Sequence, residues 1–227
     1  FERYLNEKGM PRTTVNTFAR EALPNSAAAY SGICSLGGAM SANDDLPWIE
    51  SELALMRDAD TRGVPVIGHC LGGQLLAKAF GAPVTVNAMK EIGWGEVEVD
   101  DPDRARDWVG DGRTFELFQW HGDTFEIPRE GRRFLTNELC ANQAFVIERD
   151  GFAHLGMQFH VEMTPQLVRA WATDDEGIEE IGAALERQSG VGVQRSDEML
   201  RDVQQRTQRM HLTADRIYGR WISGVQR

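Results

Sequence analysis

The segment Val66-Ile67-Gly68-His69-Cys70-Leu71-Gly72-Gly73-Gln74 constrains this chain more than any other stretch. A β-branched run leads straight into a helix-forming run. Cys70 stands at the corner, with glycines two positions to either side. This spacing is that of a nucleophile on a strand-to-helix elbow, with Cys in place of Ser. The corner residue takes strained backbone and neighbouring chains come close, so a β-carbon at Gly68 or Gly72 would collide. At the head of a helix, unpaired N–H groups and the positive end of the dipole favour thiolate over thiol.

The surrounding pattern predicts the sheet that such an elbow requires. Gly32–Leu36 and Val64–Gly68 read as short buried strands, Pro47–Arg62 and Gln74–Phe80 as helices, and Thr13–Phe18 as a further strand. Trp48, Leu53, Leu55 and Met56 form the apolar side of the first helix. This alternation predicts a mostly parallel sheet with helices on both faces. The middle of the chain changes character. Glu96–Val99, Thr114–Phe118, Arg133–Thr136, Ala144–Glu148 and Phe152–Gln158 read as strands, with Asp150-Gly151 as a hairpin turn and Asp100–Gly112 as a polar loop. Helices return at Thr164-Pro165 and, after the Gly-rich Ser189–Val193, at Ser196-Asp197-Glu198. Val203, Thr207, Met210, Ala214, Ile217 and Trp221 then mark one stripe of a long amphipathic helix. That stripe suits packing on the domain's own core, or a homodimer or partner interface. The expectation is a single α/β domain over 1–227, with a mixed, mostly parallel central sheet flanked by helices. Its core covers about 1–187 and its C-terminal amphipathic helix about 196–225.

Composition removes several function classes. Net charge is −11, and no local basic patch offsets it, which argues against nucleic acid as a partner. No run approaches the ~20 apolar residues of a membrane span, and the charged opening Phe1–Lys8 does not read as a signal peptide. Three cysteines without framework spacing favour a reducing, cytoplasmic setting. The five histidines and three cysteines show no zinc spacing, and no phosphate-binding G-x-x-x-x-G-K-[ST] motif occurs, so neither metal nor cofactor is expected.

A nucleophile needs a base, and the base needs an orienting group. Phe159-His160-Val161-Glu162 offers both, because residues two apart in extended chain share a side. The carboxylate would fix the imidazole tautomer and stabilise the imidazolium. His69, adjacent to Cys70, points away from it and reads as packing. His121 reads as a pocket wall, His154 and His211 as structural or exposed, and Cys34 and Cys140 as small core residues. Trp48, Trp94 and Trp108 read as anchors rather than as a ligand cage.

With these motifs the chain resembles the class I glutamine amidotransferase family, and within it free-standing domains similar to the glutaminase part of GMP synthase. The resemblance covers most of 28–165. It rests on Leu36-Gly37-Gly38-Ala39-Met40, on the Cys70 elbow, on Trp120-His121-Gly122-Asp123, on Asn142-Gln143-Ala144-Phe145 and on Gly156-Met157-Gln158-Phe159-His160-Val161-Glu162. It implies a flavodoxin-like fold and glutamine hydrolysis by Cys70, His160 and Glu162 through a glutamyl thioester. It further implies an oxyanion hole of the Gly38 and Leu71 backbone N–H groups. Gln74 would line the glutamine pocket, Asp123 would bind the substrate α-amino group, and the backbone around Trp120-His121 would face the α-carboxylate. Ammonia would pass to a separate synthase. Two other readings keep the fold: a γ-glutamyl amide hydrolase acting on another amine conjugate, and a non-catalytic regulatory binding protein. Val161 and Ala39 stand where the family usually has proline. Family members also usually open with a strand before the first helix, so the sequence as given is expected to lack one strand of the sheet.

Overall fold

The computed structural model describes residues 1–225, so the last two residues of the expected 1–227 domain lie outside the described residues. Seven strands form one mixed sheet in the order β1-β2-β7-β6-β5-β3-β4. They are β1 (Ile33–Ser35), β2 (Val66–His69), β3 (Val84–Val99), β4 (Thr114–Phe125), β5 (Arg132–Thr136), β6 (Ala144–Glu148) and β7 (Ala153–Met157). Strands β1, β2 and β7 pair parallel, and the other four pairings are antiparallel. Five of the seven strands, all but β3 and β6, therefore point the same way. The parallel pairings lie together at the edge that carries Cys70. The Asp150-Gly151 turn joins the antiparallel β6 and β7 as expected.

Alternation sorts the strand residues between two cores. Phe145 and Ile147 of β6 join Val66 against the helices α2 (Pro47–Thr61) and α3 (Leu71–Ala79). Ala144, Val146 and Ile67 face the other side, where α1 (Glu2–Glu7), α4 (Pro102–Trp108), α5 (Pro165–Thr173), α6 (Asp175–Gln188), α7 (Ser196–Leu200) and α8 (Val203–Ser223) contribute buried residues. No helix among the described residues is long and apolar enough to cross a membrane.

Several expectations are corrected. Thr13–Phe18 is not a strand. The Asn16 side chain accepts from the Ala19 N–H at 3.0 Å and closes a turn there instead. Asp100–Gly112 is not all loop, because Asp101 caps α4 by accepting from the Arg104 N–H at 3.2 Å, with Pro102 in the first turn. Strands β3 and β4 run far past their expected ends, across a bulge between Val86 and Glu91, so Trp120–Asp123 lies on β4. One expected helix after Thr164 is two, divided at Asp174, whose carboxylate caps α6 through the Gly177 N–H at 2.7 Å. The C-terminal helix is also two, because Asp202 takes a left-handed φ of 54°. Ser196 is not its cap; the Glu198 carboxylate accepts from the Arg195 N–H at 2.8 Å.

The stripe Val203, Thr207, Met210, Ala214, Ile217 and Trp221 is buried within the chain itself, which removes it as a homodimer or partner surface. Ile217 is fully buried, whereas Leu212 on the same helix is 68% exposed. Ile217→Ala should lower the unfolding free energy by about 2–5 kcal/mol in urea titrations. Leu212→Ala should stay within about 0.5 kcal/mol of the wild type. Equal effects would mean that α8 does not pack on the sheet.

Candidate active site

Cys70 sits between the end of β2 and the first residue of α3 with φ 49° and ψ −110°. Backbone of this kind costs ~1–3 kcal/mol unless its surroundings impose it. Here they do. A β-carbon on Gly68 would stand 2.3 Å from the Gly72 carbonyl oxygen, and one on Gly72 would stand 2.2 Å from that of Ser35. The Cys70 N–H donates to the Met157 carbonyl of β7 at 2.8 Å, which locks the corner to the neighbouring strand. Its sulfur faces the Trp120 carbonyl at 3.7 Å and the Gln158 amide at 3.8 Å.

Strand β7 ends at Met157, and the chain continues as Gln158-Phe159-His160. The His160 N–H donates to the Phe118 carbonyl of β4 at 2.8 Å, fixing the histidine backbone across the sheet. Its Nδ1 lies 2.6 Å from Glu162 Oε1. Gly37 fills the gap between the two catalytic candidates: a β-carbon there would be 2.6 Å from His160 Cε1 and 3.5 Å from Cys70 Cβ. Trp171 of α5 stands edge-on to the His160 ring, with centroids 5.2 Å apart.

Three buried histidines hydrogen-bond a carboxylate, and the partners of their second nitrogens separate them. His154 accepts from the Val66 N–H at Nδ1 and meets Asp60 at Nε2, 2.9 Å away. His121 meets the Asp123 carbonyl at Nδ1 and Glu91 at Nε2, each at 3.0 Å. His160 alone leaves a nitrogen open: its Nε2 is buried without a hydrogen-bond partner among the described residues. An orphaned buried nitrogen is costly, which fits one kept for a moving proton. Burial disfavours the His160 imidazolium, but the Glu162 carboxylate and the Cys70 sulfur outweigh it and raise His160 above its ordinary value. Burial likewise opposes the Glu162 charge, and His160 overcomes that opposition and holds Glu162 below its usual range.

A cavity of about 480 Å³ opens over this corner. Gly38, Leu71, Gln74, Trp120, His121 and Asp123, all expected site residues, line it together with Cys70 and His160. Glu162 is behind His160 and does not line it. Leu71 is the first residue of α3, so its N–H has no acceptor within the helix. Gly38 is beside it; a β-carbon on Gly38 would be 3.1 Å from Leu71 Cδ2. The Gln74 amide donates to the Asp123 carbonyl at 3.3 Å, and the Asp123 carboxylate accepts from Ser41 at 2.7 Å. Sequence reading passed over Ser41, Lys90, Trp171, Glu176 and Glu180, which also line the cavity. Glu180 bonds the Trp120 indole N–H at 2.6 Å and pairs with Lys90. Gln158 could have been found, because it lies two residues before His160 on the same side of extended chain.

Among the described residues, Glu91, His121 and Cys140 form the one group with metal-ligand chemistry, with their ligand atoms within 4.8 Å of one another. Glu91 already accepts from Asn137 at 2.6 Å and Gln143 at 2.9 Å besides facing His121, so the group reads as a closed polar network under β4. His69 is fully buried, its Nε2 3.0 Å from the Tyr218 hydroxyl, and burial pushes it down to about 4.

Known proteins resemble this chain in sequence and fold. The family model described as glutamine amidotransferase class-I matches residues 2–179. The glutamine amidotransferase-like protein YfeJ of Salmonella typhimurium is 27% identical over 172 residues, covering 73% of this chain and 71% of that protein. GMP synthase (glutamine-hydrolyzing) of Photobacterium profundum is 34% identical over 109 residues, which is 45% of this chain but only 20% of that protein. The crystal structure of a glutamine amido transferase from Methylobacillus flagellatus superposes with TM-score 0.93 at 42% identity, covering 100% of this chain and 90% of that one. A glutamine amidotransferase from Thermotoga maritima gives TM-score 0.81 at 28% identity, covering 97% of this chain and 90% of that one.

His69 generates a pH prediction. Its folded value of about 4 lies below the ~6.5 of an unfolded histidine. As pH falls from ~6.5 toward ~4, the unfolded chain takes up this proton and the folded chain does not, so stability is lost on acidification. Between pH 7 and pH 4.5 the wild type should lose on the order of 2–3 kcal/mol more than His69→Gln in denaturant titrations. Parallel losses would mean that the histidine titrates normally.

Proposed function

The chain belongs to the class I glutamine amidotransferase family, and on that premise we propose that it hydrolyses the side-chain amide of L-glutamine by a Cys70-His160-Glu162 triad. One observation carries the reading: the single buried histidine among the described residues with an open nitrogen is held by a carboxylate and shares a cavity with a cysteine on a strained elbow. Cys70 attacks the amide carbon, and the oxygen takes negative charge between the N–H groups of Gly38 and Leu71. His160 delivers the thiol proton to the departing ammonia. Water, deprotonated by His160, then cleaves the glutamyl thioester to glutamate. Asp123, braced by Ser41, suits a substrate ammonium, and Gln74 suits the amide or carboxylate end. The ammonia passes to a separate synthase. Three unpaired thiols suit a cytoplasmic setting.

Cys70 should be the thiol labelled first by a glutamine-like chloroketone, with the adduct mapped by mass spectrometry; preferential labelling of Cys34 or Cys140 would overturn the assignment. Glu162→Gln should reduce ammonia release substantially, yet less than His160→Ala, because general acid–base work contributes about 10²–10⁴-fold. Wild-type rates in both variants would place the triad elsewhere.

Control by the synthase is part of the reading. Losing one oxyanion donor costs about 10²–10³ in rate, and the Gly37-Gly38 backbone can turn its N–H away at little steric cost. Isolated chain should therefore turn over slowly and accelerate through kcat when its synthase docks. Turnover at the ~10 s⁻¹ typical of enzymes, indifferent to any synthase, would refute this.

A specific observation favours a second substrate class. Beyond Cys70 the cavity continues to Trp171, Asp174, Glu176 and Glu180, giving a volume on the scale that takes drug-sized ligands. Lys90 lines the same end and pairs with Glu180, so Asp174 and Glu176 are the carboxylates that would meet the cationic amine of a γ-glutamyl amide. Side-by-side kcat/KM for glutamine and a γ-glutamyl diamine decides between them: a preference for glutamine rejects the larger substrate.

A further inference from the structure

Gln143 belongs to a sequence motif that the triad does not use. It is fully buried just before β6, and its Nε2 donates to Glu91 Oε2 at 2.9 Å. Asn137 donates to the other oxygen, Oε1, at 2.6 Å. Two amide N–H groups thus hold the Glu91 carboxylate, and its third partner is His121 Nε2, 3.0 Å from Oε2. Glu91 and His121 are both buried and stand opposite each other in the β3–β4 register. His121 lines the cavity, whereas Glu91 stands behind it.

Counting protons sets this pair apart from His154 and Asp60. His154 accepts at Nδ1 from a backbone N–H, so one ring proton serves both of its contacts. His121 faces an acceptor on each side, the Asp123 carbonyl at Nδ1 and a Glu91 oxygen at Nε2. Nδ1 therefore carries a proton, and a second proton lies between Nε2 and Oε2. On either atom that proton leaves the pair net neutral, the form that burial tolerates. Without the carboxylate, the single proton of a neutral imidazole is no longer confined to Nδ1.

The peptide that Nδ1–H holds lies at a break in the sheet. The β3–β4 register shifts between Val86, opposite Asp123, and Glu91, opposite His121. At that break the Asp123 carbonyl accepts from His121 Nδ1 at 3.0 Å and from the Gln74 amide at 3.3 Å. The Asp123 carboxylate accepts from Ser41 at 2.7 Å, and the residue lines the cavity. We propose that Glu91 is a positioning residue for the substrate ammonium: acting through His121, it fixes the Asp123 peptide and so the carboxylate that receives the α-amino group. The inference rests on the proposed glutamine site and adds to it a carboxylate that does not itself meet the substrate.

Two reagents that alkylate Cys70, followed by peptide mass spectrometry, separate this role from a merely structural one. A glutamine-like chloroketone carries the α-amino group, and iodoacetamide does not. Glu91→Leu and His121→Leu should each slow the chloroketone by about two- to tenfold, the range one hydrogen bond spans. Both should leave iodoacetamide within about twofold of the wild-type rate. His121→Asn, which keeps an N–H near the Nδ1 position, should recover part of the loss seen in His121→Leu. The double variant Glu91→Leu/His121→Leu should be no slower than His121→Leu, because the carboxylate acts through the imidazole. With glutamine as substrate, KM should rise by the same factor while kcat stays within about twofold. Wild-type chloroketone rates in the two Leu variants, or equal slowing of both reagents, overturn the proposal. If Glu91→Leu fails to fold, Glu91→Gln decides by the same criteria, since one amide oxygen cannot accept on both sides as the carboxylate does. A wild-type chain that neither releases ammonia from glutamine nor has Cys70 protected by it defeats the proposed function and this proposal with it, an outcome that the wild type alone reveals.

Discussion

Helix α3 lies against the sheet at backbone contact distance, and the rest of the site depends on that approach. It is possible only because Gly68, Gly72 and Gly73 carry no side chain; added β-carbons would strike the backbones of Gly72, Ser35 and Met157 at 2.2–2.4 Å. The contact forces Cys70 into left-handed φ, turns its sulfur out of the sheet and ties its N–H to β7. The same strand then delivers Gln158 and His160 to that sulfur. Three parallel strands, β1, β2 and β7, thus act as one jig: β1 leads into the Gly37-Gly38 loop, β2 into Cys70 and β7 toward His160.

The site's chemistry also turns on what each imidazole has left to give. His154 and His121 use both ring nitrogens and serve as struts between elements. His160 holds a carboxylate on one side only. A buried His–carboxylate pair is thus common in this molecule, and the open nitrogen rather than the pair sets His160 apart.

The elbow and the H-x-E pair were legible because close packing and period-two geometry demand particular residue types at fixed spacing. Asp101-Pro102 was legible in principle as a helix start, but its polar surroundings read as loop, whereas Asp174 fell within what reads as a single helix after Thr164. The lengths of β3 and β4 were not legible: Asn87, Lys90 and Glu91 interrupt the apolar alternation, and partners distant in sequence decide their pairing. The place of α8 was half legible. Its stripe predicts an apolar contact, but only the fold shows that the chain's own sheet fills it, with Tyr218 reaching His69 across 149 positions.

The order of strands in the sheet also sets a timetable during synthesis. Strand β2 pairs with β7, with Ile67 beside Leu155, so the jig cannot close until the chain has grown far past the nucleophile. At translation rates of ~5–20 residues per second, the ~90 residues between Cys70 and His160 take roughly 5–20 s. Throughout that interval Cys70 stands without His160, and the parallel β2 edge has no β7 to pair with. Long-range pairing of this kind is slow and leaves strand edges open. A chain that has not yet grown to His160 therefore carries Cys70 without the histidine that shares its cavity.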